Sequence, residues 1–297
     1  MTQTQQNLYV QRINMVIDHI TSHIQDEHSL ASLAAIAGFS DYHFHRVFKV
    51  VVGETLSQFV WRVRLDRAAI MMRTDSSRAI TDIAESVGFT SVAGFSRAFK
   101  RQFTVTPSRW QQQSHPDNIP THDALSYHVH DLAQCANSYP VYFQKMDAQK
   151  LAYIRVYDSY SDMGRIQNAY DILLNWYQEK GASLYETTLY GMSLDDPHIT
   201  PKSHCRFDWC LRVPDDWCAD EVVNMMDFPA CLLAVCDLRG DVYEEERILD
   251  YMWCDWLPRS AYQPANLPAM EIYNHLPKSI SMTMHYDMRC AIPVVRL

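Results

Sequence analysis

Two sets of side chains in this chain carry types and spacings suited to chemistry. The first is basic and polar. Tyr42, His43, His45, Arg46 and Lys49 fall in one short helical stretch. Ser91, Val92, Ala93, Ser96, Arg97, Lys100 and Arg101 fall in a second. Arginine can bond guanine O6 and N7 in a bidentate manner, small apolar groups can meet thymine methyls, and Ser, Lys and Arg can bond phosphate. The second set surrounds a carboxylate. Glu271 lies in an otherwise apolar strand-like run, AMEIY. On a strand, Glu271 and Tyr273 share one face, and Met270 and Ile272 share the other. Desolvating a carboxylate is costly without a partner. A cationic ligand would supply one; so would an arginine such as Arg206 or Arg289, and exposure to water would remove the need. Aromatic faces attract cations, so Tyr157, Trp209, Trp253 and Tyr273 are candidate walls.

The basic residues must be held by helices. Thr81 to Trp110 reads as helix, turn, helix: Thr81 as N-cap, Asp82 and Glu85 at the helix start, Gly88 at its end, and Thr90 or Ser91 capping the next helix. That helix buries Phe95, Ala98, Phe99 and Phe103. Pro107 closes the pattern. An earlier copy runs from Leu30 to Gly53, where Gly38 matches Gly88. After one inserted residue, Phe44, Arg46, Phe48 and Lys49 match Phe95, Arg97, Phe99 and Lys100. Ser40 is placed to cap the first of the two later helices. Ahead of both copies, Leu8 to Glu27 has an apolar stripe of Ile13, Val16, Ile17, Ile20 and Ile24. Glu54 to Thr74 reads as a long helix joining the copies, which must reach grooves roughly 34 Å apart if both read one duplex. Arg62, Arg64 and Arg67 on that helix are open to solvent or to phosphate.

Tandem helix-turn-helix units with GF-x-S-x-x-x-F-S-R-x-FK-R-x-F followed by P-S resemble the DNA-binding module of the AraC/XylS family of transcription regulators. The resemblance covers roughly Asn7 to Gln113 and departs from the common pattern at Thr104, where the family has Gly. It implies double-stranded DNA as a partner, with Tyr42, His45 and Arg46 foremost in base contact. Val92, Ala93 and Gly94 cannot hydrogen-bond a base edge, so sequence choice is expected mainly from the first unit. The alternative is that these helices present only a solvated polar face.

Residues 139–297 hold a second repeat, offset by about eighty positions. KLAYIRVYDSYSDM matches ACLLAVCDLRGDVY, Trp176 matches Trp256, Pro197 matches Pro277, and Asp208 matches Asp287. Gly191 takes the place that Glu271 has in the later copy. Each copy reads strand, helix, strand, strand, which predicts a pseudo-symmetric α+β domain with a cleft between duplicated β-α-β-β halves. YGMSLDDP, RFDWCLRVP, MEIY and YDMRCAIPV, in this order and spacing, resemble the GyrI-like ligand-binding domain. That resemblance implies a small amphipathic or cationic ligand held by the strand glutamate. Together the halves resemble an AraC-type regulator of the Rob-like arrangement, and the family favours an activator working with RNA polymerase. The expected layout is therefore multidomain: an all-α tandem helix-turn-helix domain at 1–112, a linker at 113–138 and a GyrI-like domain at 139–297. Two alternatives stand beside it. The second domain docks a protein partner, or it is a hydrolase with the glutamate as general base. The latter finds no Ser-His-Asp pattern, nucleophile elbow or metal motif in support, so the expectation is no enzyme and no cofactor.

Composition agrees with two unlike halves. The 297 residues are 47% hydrophobic and 21% charged, with net charge −9. Residues 1–115 hold 12 Lys/Arg against 9 Asp/Glu, while residues 116–297 hold 14 against 26. One half can meet phosphates; the other favours cations by its field, or is simply kept soluble by it. All 8 Cys follow residue 134, with no C-x-x-C pair, and are expected to be reduced and mostly buried. His198, His204, Cys205 and Cys210 lack zinc-site spacing, as do His115, His122, His128 and His130. No run of 18 apolar residues and no signal-peptide pattern is present, so the cytoplasm and no membrane are the default.

Overall fold

The computed structural model describes residues 3–113, 138–282 and 284–297. The chain divides into two compact units, Met1–Ser126 and Tyr127–Leu297, each with its own core. The linker expected over 113–138, with His115, His122, His128, His130 and Cys135, lies almost wholly outside the described residues.

The first unit is helical: α1 (Gln3–Ser22), α2 (Leu30–Ala37), α3 (Asp41–Val52), α4 (Leu56–Thr74), α5 (Ile80–Ser86), α6 (Val92–Phe103) and α7 (Pro107–Gln113). Ile13, Val16, Ile17 and Ile20 form the buried stripe of α1, which packs on α2 and α3. The two helix-turn-helix units close in the same way. Gly38 and Gly88 both have left-handed backbones, with φ of 64° and 82°. The Gly38 and Phe39 amides bond the Ala35 and Ala34 carbonyls; those of Gly88 and Phe89 bond Glu85 and Ala84. This doubled closure satisfies the orphan carbonyls of a helix end.

Caps matter less than packing. Thr81 does not cap α5, which starts one residue earlier with Ala79 in the cap position and no side-chain bond. A cap contributes about 1 kcal/mol, whereas burying one large apolar side chain contributes about 1.5–3 kcal/mol. Phe44, Phe48, Phe95 and Phe99 are all fully buried, so the helices form with or without the cap. The joining helix α4 does carry one: Thr55 and Gln58 make a reciprocal capping box.

The arginines of α4 are neither solvated nor free for phosphate. Arg62 is buried between Glu54, 2.7 Å away, and Asp66, 3.3 Å away. Arg64 donates to the carbonyls of Ile24 (2.9 Å), Asp26 (2.6 Å) and Gly88 (3.1 Å), tying the end of α1 to the second turn. Burial lowers the Arg67 pKa to about 10. The expectation failed because the partners of Arg64 are carbonyls 24–40 residues away, and those of Arg62 are Asp66 on α4 and Glu54 just ahead of it.

The second unit is a nine-stranded antiparallel sheet among the described residues. Its elements are β1 (Tyr142–Met146), β2 (Gln149–Tyr157), α8 (Met163–Glu179), β3 (Leu189–Ser193), β4 (Arg206–Val213), β5 (Asn224–Phe228), β6 (Cys231–Gly240), α9 (Val242–Tyr251), β7 (Tyr262–Pro264), β8 (Ala269–Tyr273) and β9 (Tyr286–Arg296). Strand order is β1-β6-β9-β8-β3-β4-β2-β5, with β7 on β9. Read from either end, this order is the same under the internal repeat. Each copy also has one strand more than its sequence pattern shows, and that strand is exchanged: β1 precedes the first copy but pairs with β6, and β5 precedes the second copy but pairs with β2.

Helices α8 and α9 cover one face. Ile166, Tyr170 and Leu173 from α8 and Ile248 and Tyr251 from α9 pack there on Ala152, Trp209, Leu211, Tyr273, Met288 and Ile292. The opposite face gathers Leu151, Tyr153, Tyr190, Met192, Leu233, Met270 and Ile272. Met146 and Phe228, from the two outer strands, join that same cluster, so the sheet curls over it. Arg155 and Asp208, cross-strand neighbours on this side, form a buried bidentate pair at 2.8 and 2.7 Å.

Candidate functional sites

Helices α3 and α6 are equal in length and in register. Asp41, Tyr42, His45, Arg46 and Lys49 correspond to Val92, Ala93, Ser96, Arg97 and Lys100. Ser91 caps α6 through the Gly94 amide at 3.1 Å; Ser40 sits at the equivalent place on α3 without a side-chain bond. Because the phenylalanines take the inner face, the remaining turns point outward. Tyr42, His45, Arg46 and Lys49 are exposed on α3, as are Ser91, Val92, Ala93, Arg97, Lys100 and Arg101 at α6; Ser96 is half-buried. The Arg46 guanidinium lies 5.8 Å from the Tyr42 ring centre, so the two present one stacked surface.

His43 does not belong to that surface. Its ring packs edge-on against Tyr9 at 5.4 Å and Phe39 at 4.9 Å, half-buried between α1 and the first turn. Helical spacing from Phe44 alone placed it outward; the ring of Phe39, held by the turn at Gly38, draws it in.

The acidic site lies where the two halves of the sheet meet. Gly191 on β3 faces Glu271 on β8. These residues occupy equivalent places in the repeat, so the pseudo-twofold runs through this pair. Across the sheet the same row continues through Trp209 on one side and through Cys290 and Cys236 on the other. A Cβ built on Gly191 would stand 2.5 Å from Glu271 Oε2 and 2.7 Å from Phe207 Cζ. The missing side chain of one copy makes the space for the acid of the other.

Around the carboxylate, Tyr273 Oη donates to Glu271 Oε2 at 2.5 Å. Glu245, from the first turn of α9, hydrogen-bonds Glu271 from above. Burial pushes the Glu271 carboxyl above the usual range, against the bonds from Tyr273 and Glu245 that favour ionisation. Burial and the neighbouring Glu271 together push Glu245 well above it. The Tyr273 phenol and the Cys290 thiol are also pushed up, first by burial and then by these two acids. Both carboxylates nonetheless remain partly accessible.

The arginines that could have neutralised Glu271 are engaged elsewhere. Arg206 grips Asp195 at 2.7 and 2.8 Å, and Arg289 donates to Gln144 at 2.8 Å. Of the expected walls, Trp209 and Tyr273 stand beside Glu271, with ring centres 5.5 Å apart. The Trp209 indole donates to the Ile166 carbonyl at 3.0 Å, and the nearby Tyr170 hydroxyl to the Pro277 carbonyl. These rings therefore offer π-faces and no spare donors. Tyr157 alternates with Val156 and Ile154 and so sits on the other side of the sheet. Trp253 lies half-buried on the helix-side cluster, two turns beyond Glu245.

Sequence reasoning missed Glu245, Phe207, Tyr286 and Cys290. Glu245 belongs to the run Glu244–Glu245–Glu246 just after Asp241, which caps α9 through the Tyr243 and Glu244 amides. Acids there ordinarily serve the helix dipole. Glu244 follows that pattern, facing Tyr139 and Arg247; Glu245 turns inward. His198 pairs with Asp250 at 3.2 Å, and Cys205 and Cys210 are buried, with their thiols on the Thr200 and Asp208 carbonyls. Among the described residues no group of three or more His, Cys, Asp or Glu is arranged to hold a metal ion, and no helix is long and apolar enough to cross a membrane.

Residues 33–113 match the family described as helix-turn-helix domain, and residues 139–294 match the GyrI-like small molecule binding domain. The regulatory protein SoxS of Salmonella typhimurium is 35% identical over 103 residues, 35% of this chain and 95% of SoxS. The transcriptional regulator Rob of the same organism is 37% identical over 95 residues, 32% of each chain. The probable transcriptional regulator LumQ of Photobacterium leiognathi is 35% identical over 104 residues, 34% of this chain and 42% of LumQ. The alignments thus span less than half of Rob and of LumQ.

Proposed function

Because the chain belongs to the GyrI-like small molecule binding domain family and carries an AraC-type helix-turn-helix module ahead of that domain, we propose that it is a transcription regulator. It binds double-stranded DNA through α3 and α6 and responds to a small amphipathic cation held at Glu271. One observation carries the ligand half of this reading: the half-buried carboxylate at the centre of the sheet faces aromatic rings and a second acid, while Arg206 and Arg289 are spent on other partners. A cation supplies the missing charge at little ordering cost, because Trp209 and Tyr170 are already locked by their own hydrogen bonds.

The DNA half is supported by the matched exposure of Arg46 and Arg97 and of Lys49 and Lys100, and by relatives whose names are those of transcription regulators. A ligand acts on such a protein only through different affinities for two states. We assign it the role of activator acting with RNA polymerase, as the resemblance to the AraC family implies. Two reading helices in one chain make a monomer sufficient on DNA.

The test is binding of tetraphenylphosphonium to the wild type and to Glu271→Gln, followed by operator binding with and without the cation. Saturable binding that the variant loses supports the reading. Equal binding by both removes Glu271 from it.

A further inference from the structure

Glu245 and Glu271 hydrogen-bond one another. An ionised carboxylate is only an acceptor, so two carboxyl groups can bond only if one of them holds a proton. Charges at contact in a site drawn away from water do not both ionise. The surroundings do nothing to relieve this. Tyr273 faces the pair from β8, Tyr286 and Cys290 from β9, Glu246 from α9 and Tyr160 from the loop after β2; Cys236 on β6 lies against Cys290. All are acidic or neutral. The Gly191 notch fixes one carboxylate of the pair and the first turn of α9 fixes the other. Their contact is thus set by the fold rather than by flexible side chains meeting at a surface.

Counting charge then separates ligand classes. A pair holding one proton has a single negative charge, which balances a monocation and leaves the proton in place. Two positive centres call for both carboxylates. We propose that Glu245 is a specificity-determining residue of this site: with Glu271 it forms a proton-sharing receptor that selects dicationic amphiphiles and releases its proton to solvent when one binds. This rests on the reading of Glu271 as the cation-binding carboxylate. In the empty protein the same proton is the partner that Glu271 otherwise lacks.

The experiment compares tetraphenylphosphonium with an alkane bearing a triphenylphosphonium at each end, by calorimetry in buffers of different ionisation enthalpy from pH 5 to 8. For the wild type, dication binding releases about one proton and tightens about tenfold per pH unit until the pair is fully ionised. Monocation binding releases none and stays nearly flat. Glu245→Gln, which keeps the size and hydrogen-bonding reach of the side chain, binds the dication no better than the monocation and without proton release. Infrared difference spectra on adding the dication show loss of a carboxylic-acid band in the wild type and not in Glu245→Gln. Monocation binding together with dication binding that releases no proton, or that Glu245→Gln leaves unchanged, overturns this inference and leaves the proposed function standing. Absence of binding by both probes overturns the two together.

Discussion

Gly191 and Glu271 stand opposite each other on neighbouring strands at the join of the two halves, and the space of the glycine's absent side chain is taken by the glutamate's carboxylate. Gly191→Ala therefore forces Glu271 or Phe207 to move. Overpacking of this kind costs about 1–3 kcal/mol, and the carboxylate is pushed from its bond with Tyr273. The expected outcome is a lower denaturation midpoint for the second unit together with weaker cation binding. A variant with wild-type affinity would show that the notch does not position the acid.

The pH dependence of stability follows from the same carboxylate. Its pKa is raised in the folded chain, so its contribution is fully present at low pH and is lost as pH rises through the folded value. Glu271→Gln cannot ionise and escapes that loss. Its melting temperature relative to wild type is expected to be higher at pH 8 than at pH 4, read by calorimetry. A gain that is constant across pH would contradict the raised pKa.

Arg64 joins three backbone carbonyls from the end of α1 and the second turn. Arg64→Met keeps most of the volume and removes all three bonds. Bonds to a charged group contribute about 1.5–3 kcal/mol each and are not additive; a loss of about 2–4 kcal/mol is expected in urea unfolding of the first unit. A loss below about 1 kcal/mol would mean that water replaces the guanidinium without penalty.

Thr104 holds a left-handed backbone, φ 64°, immediately after α6. That conformation costs a residue with a Cβ about 1–2 kcal/mol, while glycine loses about 0.5–1 kcal/mol in chain entropy. Thr104→Gly is therefore expected to stabilise the first unit by about 0.5–1 kcal/mol, with operator binding unchanged. A shift in the unfolding midpoint in the other direction would mean that the Thr104 hydroxyl, bonded to the Phe103 carbonyl at 2.6 Å, outweighs the strain.

The two reading helices differ in what they can recognise, since Tyr42 and His45 on α3 are replaced by Ala93 and Ser96 on α6. Arg46→Ala is expected to cost about 1–3 kcal/mol on a selected operator and to relax preference at one base pair. Arg97→Ala is expected to weaken all sequences alike and to lower the salt dependence by about one unit of slope. Equal costs for base changes under both helices would refute this division.

Much of this protein follows from short-range periodicity. Phenylalanines spaced by three and four residues orient α3 and α6, glycines at 38 and 88 close two turns, and alternation in AMEIY puts Glu271 and Tyr273 together. The internal repeat even singled out Gly191 as the counterpart of Glu271, because duplication preserves order along the chain. What tertiary structure decided is every relation that depends on how separate elements meet. Glu245 reaches Glu271 only because α9 packs over β6 and β9, and a glutamate in the first turn of a helix looks the same in sequence whether it faces water or another acid. The face taken by Tyr157 depends on strand register passed through β4 and β3 to β8. The engagement of Arg62 and Arg64 depends on acids and carbonyls brought in from other turns. The exchange of β1 and β5 between halves has no local signature, because a short strand pairs equally well with either copy until the sheet is closed. Side-chain periodicity is set by the geometry of one element, whereas charge pairing and desolvation are set by neighbours that only the folded chain supplies.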